Sequence, residues 1–169
     1  TIARKRGGWL ALLFLAEMGT AAALGTFEAT IQHSVLLVFF LPLIISQGGN
    51  SGSQTATLVT RALALGELGA STMLRVLARE AALGLLLGGA IGLLGLGVAA
   101  VWGPGAAVTA VVGLAIVLVV LIGSVLGSCL PILLRRLGID PAYASSPLVA
   151  CLMDILGVTI YFGLASLAL

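Results

Sequence analysis

The sequence predicts an all-α integral membrane protein with five transmembrane helices. The 169-residue chain is 60% hydrophobic and only 8% charged, whereas a soluble domain carries about 25% charged residues. It contains five predominantly apolar stretches, each at least as long as the roughly 20 residues that a helix needs to cross a bilayer. All its basic residues also fall on one side of the resulting arrangement. This composition argues against nucleic-acid binding and against an ordinary soluble enzyme.

The first predicted span covers residues 7–26 and the second covers the unusually long range 33–65. The second span contains Pro42 and then a polar segment, 46–57. The apolar residues that precede this segment are too few to cross a bilayer, so the polar segment must lie partly at membrane depth. Polar or irregular backbone is tolerated there only against protein or a water-filled cavity. The alternative is a cytoplasmic loop between two short hairpin helices.

The remaining three spans are predicted at residues 81–102, 108–134 and 146–167. An amphipathic lead-in, Thr72–Glu80, precedes the third span. The turn Gly103-Pro104-Gly105 separates the third span from the fourth. No soluble domain or extended polar linker interrupts the series, so we expect the whole chain to form a single transmembrane domain.

The distribution of basic residues predicts the orientation of these spans. They occur before the first span, around the link between the second and third, and after the fourth: Arg4, Lys5, Arg6, Arg61, Arg75, Arg79, Arg135 and Arg136. The links on the opposite side, 28–32 and 103–107, carry no Lys or Arg. Because cytoplasmic loops are enriched in basic residues, we expect a cytoplasmic N-terminus and an outside C-terminus.

Glycines recur at four-residue intervals in two of the spans. They are Gly84, Gly88 and Gly92 in the third span and Gly123 and Gly127 in the fourth. Such rows of small residues allow helices to approach closely. They form either a dimer seam or a packing surface within one protomer, and we favour packing within one protomer.

Asp154 lies near the middle of the fifth span and is the only charged residue after Tyr143. A carboxylate at this depth costs roughly 2.5–3.5 kcal/mol on insertion scales, so it requires compensation. Water or a cation can supply that compensation, which makes ion passage the first hypothesis; the alternative is a structural carboxylate bonded to Ser or Thr hydroxyls. The 3–4 spacing of a helix places it on one face with Pro147, Ala150, Gly157 and Tyr161.

A pair of Asp154 carboxylates, related by the two-fold axis of a dimer, would surround one divalent cation. Rings of carboxylates select cations, and oxygen ligands without a His or Cys cluster suit hard ions, Mg²⁺ first. In the second span Asn50, Ser53, Gln54 and Thr57 follow i, i+3, i+4, i+7 spacing and share one face. This polar face is either a pore lining or an interhelical hydrogen-bond seam.

Two long motifs resemble those of MgtE-type magnesium channels, which are related to solute carrier family 41. The first comprises residues 42–45 (PLII), 48–57 (GGNSGSQTAT) and 61–64 (RALA), and the second comprises 133–142 (LLRRLGIDPA), 146–150 (SPLVA) and Asp154. The resemblance covers essentially the whole chain. It implies a homodimer in the lipid bilayer whose second and fifth spans line a pore.

The resemblance also implies roles for individual residues. It assigns to Asp154 and the backbone carbonyl of Ala150 the binding of a hydrated Mg²⁺. The predicted pore-lining residues are Gly49, Asn50, Ser53, Gln54, Thr57, Ser146, Pro147 and Gly157. Ser53 and Ser146 depart from the family pattern, because each stands where we expect Asn and thus offers a shorter polar group.

We therefore expect a multi-pass protein of a bacterial or archaeal plasma membrane that passes Mg²⁺, with Mn²⁺ or other divalent cations as further cargo. Bacterial members of the family usually carry cytosolic N-terminal and CBS domains that sense Mg²⁺. Either these domains precede the present segment in a longer chain, or the natural chain lacks them.

Three alternative functions remain. The first is a secondary transporter that exchanges Mg²⁺ with H⁺ or Na⁺. The second is an intramembrane serine hydrolase with Ser51 or Ser53 as nucleophile and His33 as base. The third is a structural scaffold, which leaves the polar face of the second span without an explanation.

Other acidic residues have simpler predicted roles. Glu17, in the first span, either makes a polar contact to another helix or serves as a vestibule ion site, and we favour the contact. Glu67 and Glu80 are expected to pair with nearby arginines. Asp140 precedes Pro141 and is expected to cap a helix.

Overall fold

The computed structural model describes residues 2–68 and 73–169 of the chain. These residues form helices and no strands, in the order α1 (Ile2–Thr26), α2 (Glu28–His33), α3 (Leu36–Ala64), α4 (Met73–Trp102), α5 (Ala106–Arg136) and α6 (Pro141–Ala168). All except α2 are long and apolar enough to cross a membrane. The predicted all-α fold with five membrane-spanning helices is confirmed.

The second span is one continuous helix, α3, which runs without a break through the polar segment. The alternative of a loop between two short helices is therefore wrong. Pro42 lies inside α3, where it removes a single backbone hydrogen bond. A helix satisfies its remaining backbone groups internally, which is the requirement at membrane depth. His33, the predicted first residue of this span, belongs instead to the short helix α2.

The third span is longer than predicted. Residues 73–80 of the amphipathic lead-in are helical and continuous with the apolar stretch, so α4 has 30 residues. Thr72, where the lead-in was predicted to begin, lies outside the described residues. Between α4 and α5, Gly103 and Gly105 have φ angles of 68° and 96°. Side chains with a Cβ rarely adopt such angles, so the tight turn between these helices requires glycine.

Asp140 caps α6 as predicted. Its Oδ1 accepts a hydrogen bond of 2.9 Å from the backbone N–H of Ala142, and Pro141 occupies the first turn. The carboxylate satisfies one of the N–H groups that a helix leaves unpaired at its start. The cap sets the position at which α6 begins.

The glycine row of α4 packs against α5 within one protomer. Gly84, Gly88 and Gly92 are buried, and a Cβ on Gly88 would lie 2.9 Å from the carbonyl oxygen of Val117. A Cβ on Gly84 would lie 2.9 Å from the side chain of Ser124. These distances leave no room for a methyl group. The prediction that the row serves packing within one protomer is confirmed.

A second glycine contact joins α3 to α5. A Cβ on Gly123 or Gly127 would meet the carbonyl oxygens of Gly48 and Gly52 in α3. Across the same contact, the Ser51 hydroxyl donates a hydrogen bond of 3.1 Å to the carbonyl oxygen of a valine in α5. Backbones that approach this closely leave α3 little freedom to rotate. The side of α3 that carries these glycines is therefore held against α5. The predicted polar face of α3 lies on another side of the helix.

Helix α1 packs against α6, and the two helices run in the same direction. Near their first turns the rings of Trp9 and Tyr143 lie 6.4 Å apart. Near their far ends the rings of Phe27 and Phe162 stack at 5.9 Å. These two aromatic contacts set the register of α1 along α6.

Candidate functional site

The polar residues of α3 form a stripe along the helix face that is not packed against α5. We call this set the polar stripe: Ser46, Asn50, Ser53, Gln54 and Thr57. Asn50, Gln54 and Thr57 are exposed and Ser53 is half-buried. The Asn50 amide donates to the Ser46 hydroxyl at 3.3 Å. The predicted common face is therefore present and open in the protomer.

The N-terminal part of α6 lies against the polar stripe. Ser53 Oγ donates to the carbonyl oxygen of Ser146 at 3.3 Å, and the hydroxyls of Thr57 and Ser146 lie 3.3 Å apart. A shallow groove of about 590 Å³ opens beside them, lined by Ser53, Gln54, Thr57, Leu58 and Ser146. The two serines that depart from the family pattern thus contact each other directly. Their short side chains permit this close approach of α3 and α6.

Further along the two helices, α3 and α6 approach at Gly49 and Ala150. A Cβ on Gly49 would lie 3.9 Å from the Cα of Ala150. Ala150 is half-buried, and Asp154, one turn later on α6, is also half-buried. Asp154 thus follows the contact of α6 with α3, and its side chain is only partly covered within the protomer.

The structure places Gly157 differently from the prediction. Gly157 is buried, and a Cβ there would lie 3.0 Å from the Ile45 side chain. Tyr161 is fully buried, and its hydroxyl donates to the carbonyl oxygen of Leu37 at 3.0 Å. The 3–4 spacing aligns these residues with Asp154, but α3 covers this part of the face. Of the remaining predicted residues, Pro147 is exposed.

Helix α1 contributes a second carboxyl group beside Asp154. The side chain of Glu17 lies close enough to those of Asp154 and Cys151 for its charge to act on both. Thr20 donates to the Glu17 carboxylate at 3.0 Å. The predicted contact of Glu17 with another helix is present. Its depth in the first span was the available signal, but its partner on α6 could not be identified from spacing.

Among the described residues, no group of three or more His, Cys, Asp or Glu side chains is arranged to hold a metal ion. A cation at Asp154 would therefore need oxygen ligands from water, from backbone carbonyls or from a second copy of the chain. This fits a hard ion that keeps part of its water shell.

Glu80 forms the predicted ion pair, on the back of α3. Arg79 Nη2 lies 3.0 Å from Glu80 Oε1, and Thr55 donates to the same carboxylate at 3.5 Å. Glu80 and Thr55 are each only 6% exposed. For Glu67 no ion pair is found within residues 2–68 and 73–169. The hydrogen bond between buried Thr55 and buried Glu80 links α3 to α4, away from the polar stripe.

The geometry offers no serine hydrolase site. His33 lies in α2, whereas Ser53 lies roughly 25 Å along α3 from its first residue, Leu36, at a helical rise of roughly 1.5 Å per residue. Ser51 is engaged in the contact with α5, where its hydroxyl lies 2.8 Å from that of Ser124. Neither serine has the base that an activated nucleophile requires within hydrogen-bonding distance.

Comparison with known proteins points in the same direction as the site. Residues 41–164 match the MgtE family model, which is described as a divalent cation transporter. The chain is 42% identical over 161 residues to the magnesium transporter MgtE of Thermus thermophilus, which is 95% of this chain and 36% of that protein. It is 34% identical over 164 residues to the protein of the same name from Bacillus subtilis, covering 97% of this chain and 36% of that relative.

A third relative, the magnesium transporter MgtE of Enterococcus faecalis, is 33% identical over 165 residues, which cover 98% of this chain and 36% of that protein. The chain thus spans little more than a third of the length of each of these relatives. The family match, residues 41–164, includes the polar stripe, Ser146, Ala150 and Asp154.

Proposed function

The chain belongs to the MgtE family of divalent cation transporters, and from this premise we propose that it conducts Mg²⁺ across the membrane. The observation that carries the proposal is Asp154, a half-buried carboxylate in a membrane-spanning helix, one turn along α6 from the contact of Ala150 with α3. Charged side chains within membrane helices are costly and mark ion pathways. The relatives are named for magnesium transport, which agrees with a site built from oxygen atoms.

The polar stripe, Ser146 and Asp154 form one wall of the proposed path. Hydroxyl and amide groups exchange hydrogen bonds with water, so this wall suits an ion that retains its hydration shell. Mg²⁺ dehydrates reluctantly and usually keeps several waters. We therefore propose that hydrated Mg²⁺ passes the stripe and meets Asp154 and the Ala150 carbonyl through its water ligands. Mn²⁺ is the second expected cargo, because it also favours oxygen ligands.

The second wall of the path is proposed to come from another copy of the chain. The polar stripe is exposed on a single protomer, and an exposed polar face at membrane depth needs water or protein against it. A homodimer that faces two stripes across a common axis meets this requirement. It also brings two Asp154 carboxylates to the same ion, and such rings select cations.

The proposed orientation has a cytoplasmic N-terminus. The basic side chains around the ends of α3 and α5 lie at the same end of the bundle, since Arg135 donates to the carbonyl oxygen of Leu63 at 3.1 Å. Arg136 lies 3.8 Å from the sulfur of Met73 at the start of α4. The positive-inside rule assigns this end to the cytoplasm.

Current measurements test the channel against the exchanger. The purified chain is reconstituted in planar bilayers with a tenfold Mg²⁺ gradient and no gradient of H⁺ or Na⁺. A Mg²⁺-selective channel gives a current that reverses about 30 mV from zero, as expected for a divalent ion, and the reversal potential does not move when a pH or Na⁺ gradient is added. An exchanger gives a reversal potential that follows the added H⁺ or Na⁺ gradient.

A further inference from the structure

The position of Glu17 opposite Asp154 follows from the packing of α1 on α6. The aromatic contacts described above hold the two helices in register at both ends. Between them Gly19 packs on α6, where a Cβ would lie 2.9 Å from the side chain of Ile155. Glu17, half a turn earlier on α1, is thereby level with Asp154, and their carboxyl groups are neighbours.

The local partners of Glu17 do not by themselves require a carboxylate. Thr20 and Cys151 present hydroxyl and thiol groups to it, and the neutral amide oxygen of Gln could accept the same hydrogen bonds. No basic side chain of the described residues is paired with it, because Arg79–Glu80 is their only ion pair. Two carboxyl groups side by side at membrane depth either share a proton or lie near a cation, because two uncompensated charges are costly there. A carboxyl group at this position, where an amide would serve the local contacts, therefore suits a role beyond packing.

We propose that Glu17 is a specificity-determining residue of the cation path. Its charge adds to that of Asp154, so that each protomer presents two negative charges where a single carboxylate was expected. Doubling the charge favours a divalent over a monovalent cation, because the attraction scales with the charge of the ion. The inference rests on the proposed function, since it assigns Glu17 to the path that Asp154 defines.

Five variants of the chain, each reconstituted in liposomes, test this role and the proposed function. Glu17→Gln removes the charge and keeps the acceptor for Thr20, while Glu17→Asp keeps the charge. Glu28→Gln is the matched control, because Glu28 is exposed and bonds only to Gln32, at 3.1 Å. The half-saturating Mg²⁺ concentration and the Mg²⁺/K⁺ permeability ratio are measured for each. Asp154→Asn tests the proposed function in parallel.

Glu17→Gln is expected to raise the half-saturating Mg²⁺ concentration about fivefold to tenfold, as for one charge several ångströms from the ion in a water-like medium. The Mg²⁺/K⁺ permeability ratio is expected to fall about twofold to threefold, because the attraction of the monovalent ion weakens by half as much free energy. Glu17→Asp is expected to stay within about twofold of the native chain on the same grounds, and Glu28→Gln to match it. Thr20→Val, which keeps the charge but releases the carboxylate, is expected to lower the permeability ratio even if Glu17→Gln is not recovered in folded form.

Native values for both Glu17→Gln and Thr20→Val would overturn the inference and assign Glu17 to the packing of α1. A loss in Glu17→Asp as large as in Glu17→Gln would also overturn it, since charge would then not be the cause. If Asp154→Asn abolishes flux while Glu17→Gln behaves as native, only this inference fails. If Asp154→Asn leaves Mg²⁺ flux intact, the proposed path through Asp154 fails instead, whereas absence of Mg²⁺ flux in the native chain would contradict Mg²⁺ conduction itself.

Discussion

Replacement of Asp154 by Asn is the sharpest test of the proposed path. The change keeps the shape of the side chain and removes one negative charge per protomer. Asp154 is half-buried, and an amide of the same size can occupy its place beside Glu17, so the change is not expected to disturb the packing of α1 on α6. Stability should hold or rise, because removing a charge at membrane depth relieves a cost of roughly 2.5–3.5 kcal/mol on insertion scales.

The expected loss of binding follows from the distance at which a hydrated ion would lie. A carboxylate oxygen that contacts a first-shell water is about 5 Å from the Mg²⁺ centre. At this distance one unit charge attracts a divalent ion by about 1.7 kcal/mol in a medium as polar as water. Two copies on a dimer axis give about 3.3 kcal/mol, or roughly 250-fold in affinity. Partial burial strengthens the interaction, so a loss of about 100-fold is a lower bound.

Magnesium entry into liposomes, followed with a fluorescent indicator at matched protein density, measures this effect. Glu28→Gln serves as the control, because it removes a carboxylate from an exposed helix end. Thermal unfolding in detergent is recorded for every variant. Flux within about threefold of the native chain, in a folded Asp154→Asn protein, would refute the carboxylate-ring reasoning, since the ring requires about 100-fold.

Two further predictions concern the contacts that orient α3. Gly123→Ala makes a methyl group clash with the carbonyl groups of α3, so we expect a loss of about 1–3 kcal/mol in stability. Gly97→Ala is the control, because Gly97 has open space around it, and it should not destabilise the protein. Equal melting temperatures for the two variants would contradict the close approach of α3 and α5. Glu80→Ala leaves buried Thr55 without its acceptor, for an expected cost of about 1–3 kcal/mol, whereas exposed Glu67→Ala should change the melting temperature little. A melting temperature of Glu80→Ala equal to that of the native chain would show that the Thr55–Glu80 hydrogen bond does not hold α3 to α4.

The hydrophobic length of each span is a local property, and it predicted the five membrane helices correctly. The same holds for the polar stripe, because the spacing of Asn50, Ser53, Gln54 and Thr57 along one helix decides that they share a face. The cap at Asp140 also depends only on neighbouring residues. These features need no knowledge of what the helices pack against.

Other features depend on contacts between helices that are distant in the sequence. Pro42 and the glycines of α3 left two alternatives open, a polar face on one long span or a loop between two short helices. In the structure the helix continues through these residues, and the glycines serve the close approach of α5. The backbone gains no hydrogen bonds from lipid, so at membrane depth the continuous helix is favoured over a loop. Local residue preferences do not include this advantage of a helix over a loop at membrane depth.

By itself, the sequence determined the number of spans, the stripe on α3 and the presence of a carboxylate, Asp154, at membrane depth. Only the tertiary structure decided which neighbours these groups meet. It buried Gly157 against α3, although its spacing aligned it with Asp154, and it brought Glu17 from the first span to the side of that carboxylate. Periodicity specifies the face on which a residue lies, whereas the helix that covers this face is chosen by packing between segments far apart in the chain.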